Sequence, residues 1–483
     1  MKFKLRPIVA LSAILVINGC QLSENKVVNA PQSINKSEAD ITLWPEVQSP
    51  LIVNKADQEF VSELLSIMTV EEKVGQLIQA EINVITPEQA KQYHIGSVLN
   101  GGGSLPERNK NATAKDWAVF ADKFYLASVD KTNGRAGVPI IWGTDAVHGH
   151  NNVKGATIFP HNIGLGAARN ADLIKKIGAA TAKEVRATGI EWVFAPTLAV
   201  ARNDKWGRTY ESYSEHPDLV ASYATQMVLG LQGEPNMAEF LDENHVAATA
   251  KHFLADGGTI GGDDQGNAQM SETELVAIHN PGYPKAIEAG VQTVMASFSE
   301  FNGVKMHGNK YLLNDVLKQR MNLDGFVVGD WNGHGQVPNC TNDSCAQSVN
   351  AGIDLLMAPY DWEMMYKNTL AQVKAGEISQ ARLNEAVSDI LLVKKRLGLF
   401  EGKKPSMRLL GGNNELIGAQ EHRDIARQAV RESLVLLKNN NQILPLKAKQ
   451  TILVAGSHAN DIAKQSGGWS VSWQGTGNTN SDF

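Results

Sequence analysis

The residues best suited to chemistry in this chain stand at the ends of short apolar runs. Gly325-Phe326-Val327-Val328-Gly329-Asp330-Trp331 ends in a carboxylate followed by an indole. A carboxylate at a strand tip suits attack on an anomeric carbon. Retaining glycoside hydrolysis pairs such a nucleophile with a second carboxyl about 5–5.5 Å away. Trp331 can stack on the apolar C–H face of a sugar ring. On local pattern alone, Asp330 fits equally well a strand-end residue that caps the next helix. Lys251-His252-Phe253 places two hydrogen-bond donors side by side, although an internal ion pair and a satisfied barrel histidine explain that pair better when it is taken alone. Trp206-Gly207-Arg208 with Glu211 forms a dense polar loop. Its guanidinium can grip vicinal hydroxyls, orient a carboxylate or simply brace the loop. Asp145-Ala146-Val147-His148-Gly149-His150 has two readings. Asp145 can accept from two sugar hydroxyls, or His148 and His150 can form the H-x-H pair of a metal-dependent barrel hydrolase, with His252 and Asp330 as further ligands.

Positioning these groups requires a scaffold of many strand ends. Short β-branched runs occur at Ile95–Leu99, Val138–Trp142, Trp192–Ala195, Val246–Ala250, Thr293–Ser297, Phe326–Gly329 and Ile353–Met357. Helical stretches lie between them, among them Leu173–Ala187 and Asp218–Leu231, and Thr69 with Glu72 reads as a capping box opening a helix over Val70–Gln79. Alternating β and α units imply a parallel sheet. Seven or eight such units over about 350 residues predict an α/β fold of the (β/α)8 TIM-barrel type, in which chemistry sits at the carboxyl ends of the strands. Asp145, Lys251, His252 and Asp330 all fall at such ends.

A chain of 483 residues with 20% charged and 43% apolar residues supports one large core and a smaller piece. The formal net charge of -6 argues against a nucleic-acid partner. Lys2, Lys4 and Arg6 precede a short apolar run, Pro7–Ile17, too short to span a membrane. Gly19-Cys20 resembles a lipobox, so residues 1–19 are expected to be a lipoprotein signal peptide, with export and a lipid anchor on Cys20 as the only membrane attachment. Polar residues 20–55 read as a tether, 56–400 as the barrel and 401–418 as a linker. Cys340 and Cys345 share one loop and are free to pair in an oxidising compartment. After the linker, Ala419–Lys438 reads as an amphipathic helix and Thr451–Ala455 as a buried strand. These few elements do not make a stable domain, so 419–483 is expected to be the start of an incomplete α/β sandwich domain.

Taken together, Thr144–His150, Ala156–His161, Lys205–Ser212, Lys251-His252-Phe253, Gly325–Trp331 and Gly467–Gly475 resemble glycoside hydrolase family 3, especially its exo-acting β-glucan glucohydrolases and β-glucosidases. The resemblance implies that Asp330 is the nucleophile. It also implies that Asp145, Arg208, Lys251 and His252 bind the non-reducing glucose, with Met295 beside it, and that Trp331 and Trp473 clamp the next sugar. Met295 rests on the resemblance alone. No cofactor is implied. The family's acid/base Glu lies in the second domain, and is expected beyond residue 483.

Gln265 stands near Asp263-Asp264 where several relatives carry a Glu. A subgroup acting on N-acetylglucosaminides carries an acid/base His in a Pro-Gly-His-Gly loop after Lys-His-Phe. Here that loop reads Leu254-Ala255-Asp256-Gly257-Gly258-Thr259, without Pro or His, which argues against that substrate. The expectation is therefore a retaining exo-β-glucosidase. The rivals are a metal-dependent hydrolase built on His148 and His150, which chelation would inactivate, and a non-catalytic carbohydrate-binding barrel, which Asp330→Asn would barely alter.

Overall fold

Successive side chains of a strand point to opposite faces, and in this protein both faces of the central sheet are apolar. The computed structural model describes residues 39–52 and 54–483. The barrel strands are β1 (Ile78–Glu81), β2 (Ser97–Asn100), β3 (Ile141–Thr144), β4 (Trp192–Val193), β5 (Thr249–Phe253), β6 (Thr293–Ala296), β7 (Phe326–Val328) and β8 (Leu356–Met357). Two parallel sheets, β8-β1-β2-β3-β4 and β7-β6-β5, account for all eight. Parallel bridges Trp192–Ala247 and Thr197–Lys251 join β4 to β5, and Val328–Leu355 joins β7 to β8. The sheet therefore closes on itself as the expected (β/α)8 barrel.

Side-chain parity fills the two layers. Leu99, Ile141, Trp192, Ala247, Met295, Phe326, Val328, Leu355 and Met357 form one buried cluster inside the barrel. Their neighbours Val98, Trp142, Val193, Ala248, Val294, Val327 and Leu356 belong to the layer under the helices. Gly143 faces inward where an added Cβ would lie 2.5 Å from the Phe194 ring. Polar side chains of β4, β5 and β6 pair with one another inside the barrel. Trp192 Nε1 donates to Thr249 Oγ1 at 2.8 Å, and the Thr249 and Thr293 hydroxyls lie 2.7 Å apart.

The main helices are α1 (Lys55–Ile67), α2 (Val70–Gln76), α3 (Pro87–Gln92), α4 (Ala114–Ser128), α5 (Asn162–Ala168), α6 (Ala171–Ala187), α7 (Pro217–Gln232), α8 (Gly282–Glu288), α9 (Tyr311–Arg320, wound as a π-helix), α10 (Ala346–Ala351), α11 (Trp362–Ala375) and α12 (Gln380–Arg396). Thr69 and Glu72 form the expected capping box. The helix they open stops at Gln76, not Gln79, because Ile78–Glu81 is wholly buried and pairs between β8 and β2. None of the described helices is long and apolar enough to cross a membrane.

Residues 1–38, which carry the signal-peptide and Cys20 expectations, lie outside the described residues. The described stretch from residue 39 is not a free tether. Trp44 is 1% exposed, its Nε1 donates to Glu272 Oε1 at 2.6 Å, and its carbonyl accepts from Arg320 Nε at 2.9 Å. Val47 joins Trp44 in the buried core, and Ile41 packs against it, so apolar side chains dock the segment. Cys340 and Cys345 are disulfide-bonded.

Beyond the barrel, α13 (Gln420–Ser433) packs against α5 and α6, and His422 Nδ1 bonds buried Glu184 Oε1 at 2.8 Å. This helix ends five residues before the expected Lys438, and Leu434–Leu437 run on exposed. Thr451–Ala455 is not the buried strand expected. Ile452, Leu453 and Val454 are exposed and pair with no strand among the described residues. An isolated β run has nothing to bond its amides to. The helix α14 (Ile462–Ser466) then leads the chain back over the barrel mouth, where the Val471 amide donates to the Asn151 carbonyl at 2.7 Å.

Candidate active site

Parity also aims the chemistry. Residues 141, 143 and 145 share one face of β3 and its extension, as do 247, 249 and 251 along β5 and 326, 328 and 330 along β7. Asp145, Lys251 and Asp330 therefore continue the inward faces of three strands, just above the packed interior. Lys251 Nζ, fully buried, donates to Asp145 Oδ1 at 2.7 Å across the mouth. A register irregularity between Ala250 and Phe253 lets the adjacent His252 reach the same site.

Arg208 comes from the loop after β4. Its Nε and a terminal nitrogen grip Glu211 Oε1 and Oε2 at 2.8 and 2.9 Å. That terminal nitrogen also lies 3.1 Å from His252 Nε2. Burial tends to raise the Glu211 carboxyl, but Arg208 outweighs it and holds the group below its usual range. His252 Nδ1 bonds Asp256 Oδ2 at 2.8 Å, and its Nε2 lies 3.5 Å from Asp330 Oδ2. Burial, with Arg208 and Lys251 close by, keeps the His252 ring neutral. Its Nδ1–H therefore donates to Asp256 and its Nε2 accepts from Arg208. Burial pushes the Asp256 carboxyl up to about 7.

Asp330 Oδ1 accepts from the Trp331 amide at 2.7 Å. Its Oδ2 faces His252. Burial pushes this carboxyl up to about 6 against the pull of the Arg208 and Lys251 cations. The Asp330 amide donates to His307 Nε2 at 2.8 Å.

The two tryptophans flank a glycine run at the tip of β2. An added Cβ at Gly101 would lie 2.9 Å from the Trp331 ring, and one at Gly102 would lie 2.7 Å from the Trp473 amide nitrogen. Trp473 is 57% exposed, available to a ligand, whereas Trp331 is half-buried against the barrel cluster. Met295 is buried in β6, in register with Val328 and below Asp330. The structure thus gathers Asp145, Arg208, Lys251, His252 and Asp330 in one pocket, sets Trp331 and Trp473 on its rim and puts Met295 beneath it.

Four further groups belong to this pocket. Glu211 and Asp256 are the partners of Arg208 and His252 at three and four residues' distance, a spacing legible in the sequence. Trp469 Nε1 donates to Glu211 Oε1 at 3.2 Å, and its ring lies 5.8 Å from Lys251 Nζ. His307 gave no local signal, since it acts on a backbone amide 23 residues away.

His148 and His150 do not form the pair that metal chemistry would need. His148 Nδ1 and Nε2 each lie 2.8 Å from a backbone carbonyl, of Phe159 and Trp469, while His150 Nε2 bonds Thr188 Oγ1 at 2.9 Å. The two rings serve separate partners, and no cluster of three or more metal-binding side chains occurs among the described residues.

Fold and site together define a parallel (β/α)8-barrel protein with a carboxylate-centred pocket at its carboxyl face. Residues 69–393 match the glycosyl hydrolase family 3 N terminal domain and residues 434–481 the family 3 C-terminal domain. The chain belongs to glycosyl hydrolase family 3. It is 31% identical over 484 residues to a lysosomal beta glucosidase of Dictyostelium discoideum, covering 94% of this chain and 58% of that one. It is 30% identical over 432 residues to a periplasmic beta-glucosidase of Salmonella typhimurium, covering 86% and 52%. The crystal structure of an exo-1,3/1,4-beta-glucanase from a Pseudoalteromonas species superposes with a TM-score of 0.89 at 56% identity, covering 91% of this chain and 55% of that one. The chain thus spans about half the length of the curated relatives it matches.

Proposed function

We propose that this chain carries the catalytic barrel of a retaining exo-β-glucosidase that releases glucose from the non-reducing ends of β-glucans or of cello- and laminari-oligosaccharides. The observation that carries the reading is a carboxylate, Asp330, at a barrel strand tip with one oxygen tied to a backbone amide and the other facing a pocket of hydroxyl-binding groups. A terminal glucose seated there would meet Asp145 as an acceptor and Lys251 and Arg208 as donors. His252, whose Nε2 lone pair is held by Arg208, would line the pocket beside that glucose. Asp330 Oδ2 would attack the anomeric carbon, the aglycone would leave with a proton, and water would then release glucose from the glucosyl-Asp330 ester with retained configuration. Glu211, locked by Arg208, and Asp256, behind His252, are unsuited to protonating the aglycone. We assign that proton, as in the family, to a Glu outside this sequence. Trp331 and Trp473 would hold the second sugar by its faces. Such stacking tolerates more than one linkage, in keeping with the exo-1,3/1,4-beta-glucanase it resembles. We further propose export to the periplasm or outer membrane with a lipid on Cys20. Cys20→Ala should then move the protein from the membrane to the soluble fraction.

Proton NMR of the natural gene product acting on laminaritriose and cellotriose tests the reaction. The expected first products are β-glucose and the disaccharide. Initial α-glucose would contradict retention, and cleavage that frees no glucose from the non-reducing end would contradict exo action.

A further inference from the structure

We propose that His307 is the positioning residue of the nucleophile: its imidazole is the spool around which the Asp330 loop is wound, and its Nε2 fixes the Asp330 backbone. The inference rests on Asp330 being the nucleophile. The buried amides of residues 329–333 must all find acceptors. Gly329 N–H bonds the Leu355 carbonyl at 2.9 Å, just before β8, and Asn332 N–H bonds the Met357 carbonyl at 3.1 Å within it. Trp331 N–H goes to Asp330 Oδ1, and Gly333 N–H to the Asp330 carbonyl at 2.9 Å. The Asp330 amide alone is received by a side chain from another element, His307 Nε2.

That ring is itself fixed. Its Nδ1 lies 3.0 Å from the Ser297 carbonyl, which can only accept, so Nδ1 carries the hydrogen and Nε2 presents a lone pair. Burial keeps the ring neutral, as an acceptor requires. The loop clasps it from two sides. A Cβ at Gly333 would collide with His307 Cε1, and one at Gly329 would lie 3.3 Å from Cδ2. Both glycines thus let the backbone approach the imidazole closely, and Asn332 turns the chain with φ 53°. Through this contact the tip of β6, which carries Ser297, sets where the Asp330 carboxylate sits. Removing the imidazole would leave the amide unpaired and the carboxylate free to drift. A misplacement of about 1 Å costs roughly 100-fold in rate.

Four variants of the gene product test this: His307→Ala, His307→Gln, Gly333→Ala and Asp330→Asn. Each is followed by the rate of covalent labelling with 2,4-dinitrophenyl 2-deoxy-2-fluoro-β-glucoside, by kcat and KM on 4-nitrophenyl β-glucoside, and by glucose affinity from calorimetry. His307→Ala is expected to slow labelling and kcat roughly 100-fold while glucose affinity holds. His307→Gln, whose amide offers an acceptor, should recover much of that loss. Gly333→Ala should show the same kcat-selective defect, and it carries the test if His307→Ala does not fold. Wild-type labelling by folded His307→Ala or Gly333→Ala would overturn the proposal, as would a loss shared equally by glucose affinity and kcat without recovery in His307→Gln. Asp330→Asn separates the two claims: if it stays active the nucleophile assignment falls, and if it is inactive while His307→Ala is unaffected only the role of His307 falls.

Discussion

At Asp330, burial and charge work against each other. The carboxyl is driven up to about 6 even though Arg208 and Lys251 favour its ionised form. Only the carboxylate can attack, so kcat/KM of the free enzyme should fall as pH drops through about 6. A rate profile on an aryl glucoside checks this, and an acid limb near pH 4 would contradict it. The same shift has a stability consequence. A carboxyl whose native pKa exceeds its unfolded value of 3.8 contributes stability in full below pH 3.8 and loses it as pH rises through about 6. At neutral pH the charged group is therefore a cost, bounded by linkage at about 3 kcal/mol. Asp330→Asn should melt at a higher temperature than wild type at pH 7.5, with the advantage vanishing towards pH 4. A variant no more stable at pH 7.5 would show that the cations fully offset the burial of the charge.

At the scale of elements, the site is a product of strand parity. Once β3, β5 and β7 are placed, residues 145, 251 and 330 must face the mouth, so these three were legible from apolar runs ending in charge. Arg208 was legible as a residue type, but its direction is set by Glu211. β1 was not legible, because Ile78–Glu81 follows a helix without Gly or Pro between them and continues its apolar pattern. His307 was not legible because a histidine that receives a backbone amide leaves no spacing signature. Tertiary pairing, not local propensity, decided Thr451–Ala455. The rim makes its own prediction. Trp473→Ala removes an exposed stacking face worth about 1 kcal/mol, or roughly fivefold in KM for cello- and laminari-oligosaccharides. The labelling rate with the fluoroglucoside, which does not depend on a second sugar, should stay unchanged. An equal loss on both substrates would place Trp473 at the first sugar instead.

For the whole molecule, the pocket depends on a segment far away in sequence. His148 and His161, stacked with centroids 3.9 Å apart, lie 2.8 and 3.2 Å from the carbonyls of Trp469 and Ser466. They thereby seat Trp469 over Glu211 and Lys251. Farther out, buried Glu184 on α6 accepts from the Thr157 amide at 2.9 Å, the Gly418 amide at 3.3 Å and His422 Nδ1 at 2.8 Å, tying linker and α13 to the barrel. Glu184→Ala would strand these donors, at about 1–3 kcal/mol for each one left unsatisfied. Its melting temperature should fall by several degrees, and a shift under one degree would mean that water replaces the carboxylate freely.

The central claim is that Asp330 forms a covalent bond to glucose. The most direct measurement treats the gene product with 2,4-dinitrophenyl 2-deoxy-2-fluoro-β-glucoside, digests it and locates the adduct by mass spectrometry. One fluoroglucosyl group is expected on the peptide carrying Asp330, and none in Asp330→Asn. A folded, active protein labelled on another carboxylate, or hydrolysing substrate without ever being labelled, would contradict it.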